Sequence, residues 1–459
     1  MKSNKRIVWD LTTGNVTKTL VTFALPLLLS GLLQMLYNTA DMVIVGHFIG
    51  TEGLGAVSIG GEILHFMMFI AMGFSNAGQV IISQLTGAKL FERTSRFIGT
   101  LFTSLFVSSV VMGVACLIFR ETILRWMNTP PEAAEYTLSY VTVCSSGLVF
   151  IYGYNVVSAV LRGMGDSRHP FLFVAVATLL NVVLDLIFVV VFDGAVFEVA
   201  LATVLSQALS FILALIFLYR RRMEFGFQFR PRDFLIDRDS MSMLLKLGIP
   251  MVIQSASVSF SMLFVNAWIN SYGVMVAAMT GIGSKVSQIV NVLNHALAAA
   301  GSSMIGQCIG AEKYDRVPEI LRSSLIINVT ASLLMGIVTV IFPEYVFGIF
   351  TSDPELLAYA VANYIGVALV LYAGSALRPP MFSLINGSGN FKLNLAVAMF
   401  DGVIIRIGLS LLLGVTFACG VYGFWYGNAL AGLTPFVIGG VYYLTGRWRT
   451  RKYLIDSGK

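Results

Sequence analysis

Twelve apolar runs, each long enough to cross a lipid bilayer, dominate the 459-residue chain. A helix needs about 20 consecutive, mainly apolar residues to span the hydrocarbon core. The runs have approximate limits of 19–46, 53–85, 97–119, 134–160, 171–192, 199–219, 247–270, 274–305, 322–345, 356–385, 394–416 and 424–444. They are far longer than the alternating strands of about ten residues that build outer-membrane barrels. The sequence therefore predicts an all-α integral membrane protein with 12 transmembrane helices.

The composition excludes most other classes of protein. Apolar residues make up 57% of the chain and charged residues 12%, whereas a soluble protein is about 45–50% apolar and about 25% charged. The four cysteines form no CxxC or CxxH pair, so neither a structural zinc site nor a disulfide framework is predicted. The net charge of +6 comes from clusters that flank the apolar runs. We expect a lipid bilayer as the environment and no nucleic-acid partner.

The distribution of Lys and Arg predicts the orientation. With the N-terminus inside, the inner connections carry 25 of these residues and the outer ones carry two, Arg120 and Arg125. Lys285, Arg378 and Arg406 lie within spans. Because cytoplasmic connections are rich in Lys and Arg, we expect a multi-pass protein of the cell (inner or plasma) membrane with both termini in the cytoplasm.

The two halves of the chain repeat at a shift of 223–224 residues. The landmarks keep one order and one spacing: Pro26 with Pro250, residues 84–88 with 307–311, Arg93 with Arg316, Pro131 with Pro354, and Gly163 with Gly387. An even number of spans in each half gives both halves the same orientation. The repeat therefore predicts two pseudo-symmetric six-helix bundles.

The predicted domains follow from this repeat. Residues 1–219 form an N-terminal lobe, residues 220–246 a hydrophilic cytoplasmic linker, and residues 247–459 a C-terminal lobe with a short cytoplasmic tail. A cavity between two such lobes is the default ligand site.

Two acids in the N-terminal half lie on helix faces that are already polar. Asp41 shares a face with Gln34 in span 1, and Asp185 lies one turn after Asn181 in span 5, while Thr203 belongs to a polar stripe in span 6. Carboxylate, amide and hydroxyl oxygens can ligate a hard cation such as sodium, and two adjacent carboxyls can equally share a proton. The alternative is a set of satisfied polar contacts that only fixes helix register. We predict ion coupling at Asp41, Asn181, Asp185 and Thr203 and no organic cofactor.

The corresponding positions in the second half are expected to be mostly apolar. At the repeat shift, Val265 corresponds to Asp41, and residues 405–409 correspond to residues of span 5. Asp401 and Arg406 are five residues apart on one helix and are not expected to face each other.

Four other ionisable residues lie outside the predicted coupling site. Glu62 and Lys285 occupy repeat-related positions and form a candidate gate. Arg378 precedes two prolines inside span 10, where a kink is expected. His295 is interpreted as a hydrogen-bonded core residue.

The aromatic and methionine content is suited to a lipophilic cation. The chain has 33 Phe, 17 Tyr, 5 Trp and 20 Met, which can line an adaptable apolar cavity. We predict substrate contacts from polar or aromatic residues on spans 1, 4 and 7: Gln34, Tyr37, Asn38, Asn155, Gln254 and Phe264.

The six-plus-six repeat, the Gln-x-x-Gly-Ala sequences closing spans 2 and 8, and residues 161–166 together resemble the MATE (multidrug and toxic compound extrusion) family. The resemblance covers nearly the whole chain, and residues 37–41 with Asn181-x3-Asp185 look like the acidic site of its DinF branch. It implies a secondary active antiporter that exports amphipathic, often cationic compounds in exchange for protons or sodium by alternating access. It also implies that Asp41, Asn181, Asp185 and Thr203 are the coupling residues. The acids that the NorM branch has in spans 7 and 10 are absent here.

Two other classes of function compete with export. A lipid-linked oligosaccharide flippase of the related superfamily would need a strongly cationic cavity, whereas the charge embedded in the first lobe here is acidic. An enzyme is not expected because no HExxH, GxSxG or P-loop sequence occurs. We expect a monomer whose partners are the bilayer and a small amphipathic molecule.

Overall fold

The computed structural model describes residues 9–225, 227 and 229–450. The terminal basic residues used to predict the orientation, 2–6 and 451–459, lie outside this part. Every one of the twelve predicted spans falls on helix, and the described residues contain no strand. The predicted class, an all-α membrane protein, is confirmed.

The helices of the first half include one π-helical turn, Ile187–Val191, that continues α6. Their bounds are α1 Val16–Phe48, α2 Thr51–Gly87, α3 Phe91–Trp126, α4 Pro131–Ser146, α5 Leu148–Gly163, α6 Arg168–Leu186, α7 Val196–Arg220 and α8 Arg222–Phe225. A short 3-10 turn, Pro231–Phe234, leads into the second half.

The helices of the second half include two π-helical turns, Phe400–Ile405 and Leu412–Thr416. Their bounds are α9 Arg238–Asn270, α10 Val274–Gly310, α11 Arg316–Ile341, α12 Pro343–Gly348, α13 Pro354–Asn363, α14 Ile365–Gly387, α15 Phe391–Met399, α16 Arg406–Leu411, α17 Val421–Ala431 and α18 Thr434–Leu444. The described chain ends in a 3-10 turn, Arg447–Thr450.

Several spans are broken rather than straight. Nine of the described helices are long and apolar enough to cross a membrane, and α4 with α5 makes a tenth span that is bent by 48°. Twelve spans result when the long helix α10 and the pair α17–α18 are included. The predicted tenth span is likewise made of two helices, α13 and α14.

The chain forms two compact units. The first comprises Leu29–Gly248 with the short segment that ends at Asp10, and the second comprises Leu11–Leu28 and the chain from Ile249 onward. The N-terminal parts of α1 and α9 thus belong to a different unit from the rest of their helices, with the boundaries close to Pro26 and Pro250.

Residues before α1 are held in the second unit by polar contacts. The Leu11 N–H donates to Gln307 Oε1 at 3.0 Å, and the Lys313 ammonium donates to Thr12 Oγ1 at 2.8 Å. The Arg316 guanidinium donates to the Gly14 carbonyl at 2.9 Å. Two landmarks of the sequence repeat, Gln307 and Arg316, therefore anchor this segment.

Helix α9 begins nine residues before the predicted span because an acid caps it. The Asp237 carboxylate accepts from the Ser240 N–H at 2.9 Å and from its hydroxyl at 2.7 Å. These bonds hold the pKa of Asp237 below its usual range, since they favour the charged form. The cap satisfies N–H groups at the helix start that would otherwise lack a partner.

The repeat is present in the packing of the two units as well as in the sequence. A Cβ built on Gly163 would lie 2.8 Å from Ile82 Cβ and 2.9 Å from the Gln79 carbonyl oxygen. A Cβ built on Gly387 would meet Ile305 and Ser302 at the same two distances. Each glycine thus permits the same close approach of two helices.

Alanine at Gly163 or Gly387 is therefore expected to destabilise the protein by about 1–3 kcal/mol, the usual cost of overpacking. The measurement is the thermal unfolding midpoint of the purified variants. Gly440→Ala is the matched control, because nothing lies within 4 Å of a Cβ built there. Gly163→Ala and Gly387→Ala midpoints equal to that of Gly440→Ala would contradict the close packing.

Candidate functional site

Helices α1, α6 and α7 place four buried polar residues in the first unit. Asp41 is 5% exposed, Asn181 1%, Asp185 0% and Thr203 3%. The carboxyl groups of Asp41 and Asp185 are neighbours that influence each other's charge. Asn181 lies one turn before Asp185 on the buried face of α6.

Most polar atoms of this group have no partner among the described residues. Apart from the contact between the two carboxyls, Asp41 Oδ1, both carboxyl oxygens of Asp185 and both side-chain polar atoms of Asn181 make no hydrogen bond there. The Thr203 hydroxyl donates to the Val199 carbonyl at 3.2 Å. Contacts that serve only to fix helix register would satisfy these atoms, because an unpaired buried polar group is costly. The oxygen atoms of these carboxyl, amide and hydroxyl groups fit a proton or a small hard cation.

Three residues join this site that were not assigned to it from the sequence. Tyr37, predicted to contact substrate, has its hydroxyl beside Thr203 and close to Asp41. Tyr140 and Cys144 of α4 are buried beside Tyr37 and Asp41. A residue in the sequence that relates to this placement is Gly60 of α2, where a Cβ would lie 2.4 Å from the Tyr140 ring. Tyr140 reaches the site because Gly60 has no side chain.

The other predicted substrate contacts are distributed over both units. In the first unit Gln34 and Asn38 are exposed on α1, and half-buried Asn155 donates to the Ile151 carbonyl at 2.8 Å. In the second unit Gln254 and Phe264 are half-buried on α9. Their roles stay predictions.

The predictions for the candidate gate and for His295 have different outcomes. Glu62 is exposed on α2 and Lys285 is exposed on α10, and their function as a gate stays a prediction. His295 is exposed on α10, so its interpretation as a core residue is wrong. Its position on an apolar helix gave no indication of which way the side chain points.

A π-helical turn changes the repeat register in the second unit. Gly165 and Gly389, both with positive φ, are 224 residues apart, whereas Asp193 and Ala418, also with positive φ, are 225 apart. The extra residue is accommodated by the π-helical turn Phe400–Ile405, which has no counterpart in α6. A single π-helical turn within an α-helix typically contains one inserted residue, and such turns are common at functional sites.

The change of register overturns the expected apolar counterparts of span 5. With the extra residue, Arg406 corresponds to Asn181 and Ser410 to Asp185, and both are buried. The prediction that residues 405–409 provide mostly apolar counterparts of span 5 is therefore wrong at the two positions that matter, those of Asn181 and Asp185. Val265, opposite Asp41, is buried and apolar as expected.

The same turn brings together an acid and two arginines. Asp401 Oδ1 accepts from Arg406 Nη2 at 2.9 Å, and Asp401 Oδ2 accepts from Arg378 Nη2 at 2.6 Å. The expectation that Asp401 and Arg406 do not face each other is wrong, because residues five apart share a face of a π-helix. Arg406 also donates to the Asn428 side chain, and Asn428 corresponds to Thr203.

Comparison with known proteins gives consistent results. The family model described as MatE matches residues 26–187 and 250–412. The probable multidrug resistance protein YpnP of Bacillus subtilis is 27% identical over 98% of this chain and 99% of its own length. The probable multidrug resistance protein NorM of Thermotoga maritima is 22% identical over 96% of this chain and 94% of its own.

Solved structures share the fold. An outward-facing multidrug resistance MATE family transporter of the MOP superfamily superposes with a TM-score of 0.89 and 22% identity, covering 99% of this chain and 100% of that one. A MATE complex with MaD3S gives a TM-score of 0.88 at 22% identity, covering 97% and 100%.

Arg406 and Arg378 are expected to differ sharply in their contribution to stability. Arg406→Met removes a buried partner of Asp401 and should cost about 3–5 kcal/mol. Arg378→Met should cost clearly less, because that side chain is 29% exposed. Thermal unfolding midpoints of the two variants measure the difference. Equal midpoints would contradict the assignment of Arg406 as the buried anchor.

Proposed function

The chain belongs to the MatE family, and from that premise we propose that it is a secondary active exporter of amphipathic, often cationic compounds. The chain is a multi-pass membrane transporter and not an enzyme. The names of YpnP and NorM as probable multidrug resistance proteins support export of several compounds. Assignment to the DinF branch stays a prediction.

We propose that the export is driven by protons or sodium at Asp41, Asn181, Asp185 and Thr203. The observation that carries this proposal is the pair of buried, neighbouring carboxyls whose oxygens lack partners among the described residues. Two carboxylates this close repel each other, and one proton or one monovalent cation removes the repulsion. Binding and release of that ion can then favour different conformations, which is the requirement for coupling.

Tyr37 and Thr203 extend this proposal to the substrate. The Tyr37 hydroxyl lies beside the ion site. Binding of a substrate to Tyr37 can therefore be linked to release of the ion through this one side chain. We propose further substrate contacts at Gln34, Asn38, Asn155, Gln254 and Phe264, and a gating role for Glu62 and Lys285.

Asp41→Asn and Asp185→Asn are each expected to abolish gradient-driven export while the protein stays folded. Asparagine keeps the shape and the hydrogen-bonding capacity of aspartate but removes the charge that the ion neutralises. The measurement is efflux of a fluorescent cation from proteoliposomes with proton and sodium gradients imposed separately. Stimulation by one gradient alone identifies the coupling ion.

The matched control is Asp193→Asn, which changes an exposed acid just beyond the end of the same span. It should export at the rate of the unaltered protein. Well-folded Asp41→Asn and Asp185→Asn proteins with unimpaired export would defeat the coupling proposal.

We also propose that both termini lie in the cytoplasm, and a native thiol tests this orientation. Cys419 is exposed in a predicted outer connection, whereas Cys116, Cys144 and Cys308 are buried. A membrane-impermeant maleimide should label intact cells through Cys419, and Cys419→Ser should remove the signal. In that background Asp315→Cys, in an inner connection, should react only after the cells are permeabilised. The opposite pattern of labelling would reverse the orientation.

A further inference from the structure

The cluster of Arg378, Asp401 and Arg406 in the second unit carries more positive than negative charge. Asp401 is fully buried, and its two oxygens each accept from one arginine. It is the one acid that forms an ion pair with either arginine among the described residues. Two guanidinium groups therefore share one carboxylate, and one positive charge is left without a counterion.

The two arginines have different surroundings. Arg406 is 5% exposed and also donates to Asn428, so it is fixed inside the unit. Arg378 is 29% exposed, and its only hydrogen bond among the described residues runs from Nη2 to Asp401. Its guanidinium lies over the Phe382 ring at 5.0 Å. The remaining N–H groups of Arg378 are thus available at the edge of the cluster, beside an aromatic ring.

An unbalanced charge within a membrane span is expensive unless a ligand or water compensates for it. A guanidinium fork matches the planar geometry of a carboxylate or the oxygens of a phosphate. We propose that Arg378 binds the oxyanion of an amphipathic ligand, with Asp401 and Arg406 holding the guanidinium in place. The apolar part of the ligand contacts Phe382.

This inference rests on the proposed export function, because it assigns one residue as the contact for the acidic group of a substrate. Amphiphiles that carry a carboxylate in addition to a cationic ring system supply such a group. His295 is exposed on α10, and Arg378 is close enough to it for its charge to act on the imidazole. No acid of the second unit makes an ion pair with His295 among the described residues.

The cluster does not serve as a second coupling site. Both oxygens of Asp401 are occupied by guanidinium donors, whereas the oxygens of Asp185 have no cationic or amide donor among the described residues and face another carboxyl, Asp41. The first unit thus offers acceptors for a cation, and the second unit offers donors for an anion.

A matched pair of probes tests the proposal in the full chain reconstituted in phosphatidylcholine nanodiscs. Rhodamine B carries a free carboxylate, and its ethyl ester is the same cation without one. Fluorescence anisotropy should show that rhodamine B binds about ten-fold more tightly than the ester, as expected for a charge-assisted hydrogen bond. Arg378→Gln should reduce this ratio to about one without changing the affinity for the ester.

Arg378→Gln leaves Asp401 paired with buried Arg406, so the fold is expected to persist. Arg378→Lys keeps the charge but loses the planar fork, and it should give an intermediate ratio. Arg322→Gln, which removes an exposed cation on α11, is the control and should leave the ratio unchanged.

A third arm distinguishes the source of the oxyanion. Phosphatidic acid added to the nanodiscs should not weaken rhodamine B binding if the substrate supplies the oxyanion. Competition that disappears in Arg378→Gln would keep the oxyanion site and assign it to a lipid phosphate.

The proposal is overturned if the two probes bind equally to the unaltered protein, or if Arg378→Gln lowers thermal stability and leaves the ratio intact. If the unaltered protein binds rhodamine B and its ester equally well but still exports the ester, this inference alone is overturned. Absence of ester export from proteoliposomes with a retained binding ratio overturns the proposed function alone.

Discussion

The hydrocarbon core of a bilayer has no water to hydrate a charge, so a charged side chain inside a span requires a partner from the protein or from a ligand. The two units meet this requirement in different ways. In the first unit, Asp41 and Asp185 lie together with unpartnered oxygens. In the second, Asp401 is enclosed by Arg378 and Arg406. A buried carboxylate without a partner is costly unless a proton or a cation neutralises it, whereas a buried carboxylate held by two arginines is already neutralised.

The scaffold around these sites is nearly the same in both units. Gly163 and Gly387 permit the same helix contact at the same distances, and Gly60 and Gly283 each accommodate a tyrosine ring that comes from two spans later in the chain. The chemical difference therefore arises from side chains placed on equivalent backbone positions. Family membership predicts the scaffold, and only the individual side chains of this chain determine what each unit binds.

The sequence was sufficient for features with a strong periodic or compositional signal. Long apolar runs predicted the spans, paired landmarks such as Pro26 and Pro250 predicted the repeat, and helical spacing placed Asp41 and Asp185 on polar faces. Tyr140 was missed because α4 carries no acid on its buried face that would mark this face as part of a charged site, and the place of Tyr140 in the site depends on Gly60 of another helix. Contacts between helices that are distant in sequence leave no trace in the spacing along one helix.

The register error in span 11 has a more specific cause. One added residue in an apolar helix changes the shift between the halves from 224 to 225, and hydrophobic periodicity is too coarse to reveal it. The π-helical turn that absorbs the residue moves Arg406 onto the position of Asn181 and lets it reach Asp401, five residues earlier. A regular α-helix would point these two side chains in different directions and leave Asp401 with Arg378 alone. The insertion is therefore what brings a second arginine to Asp401, and with it the excess of positive charge that separates the second unit from the first.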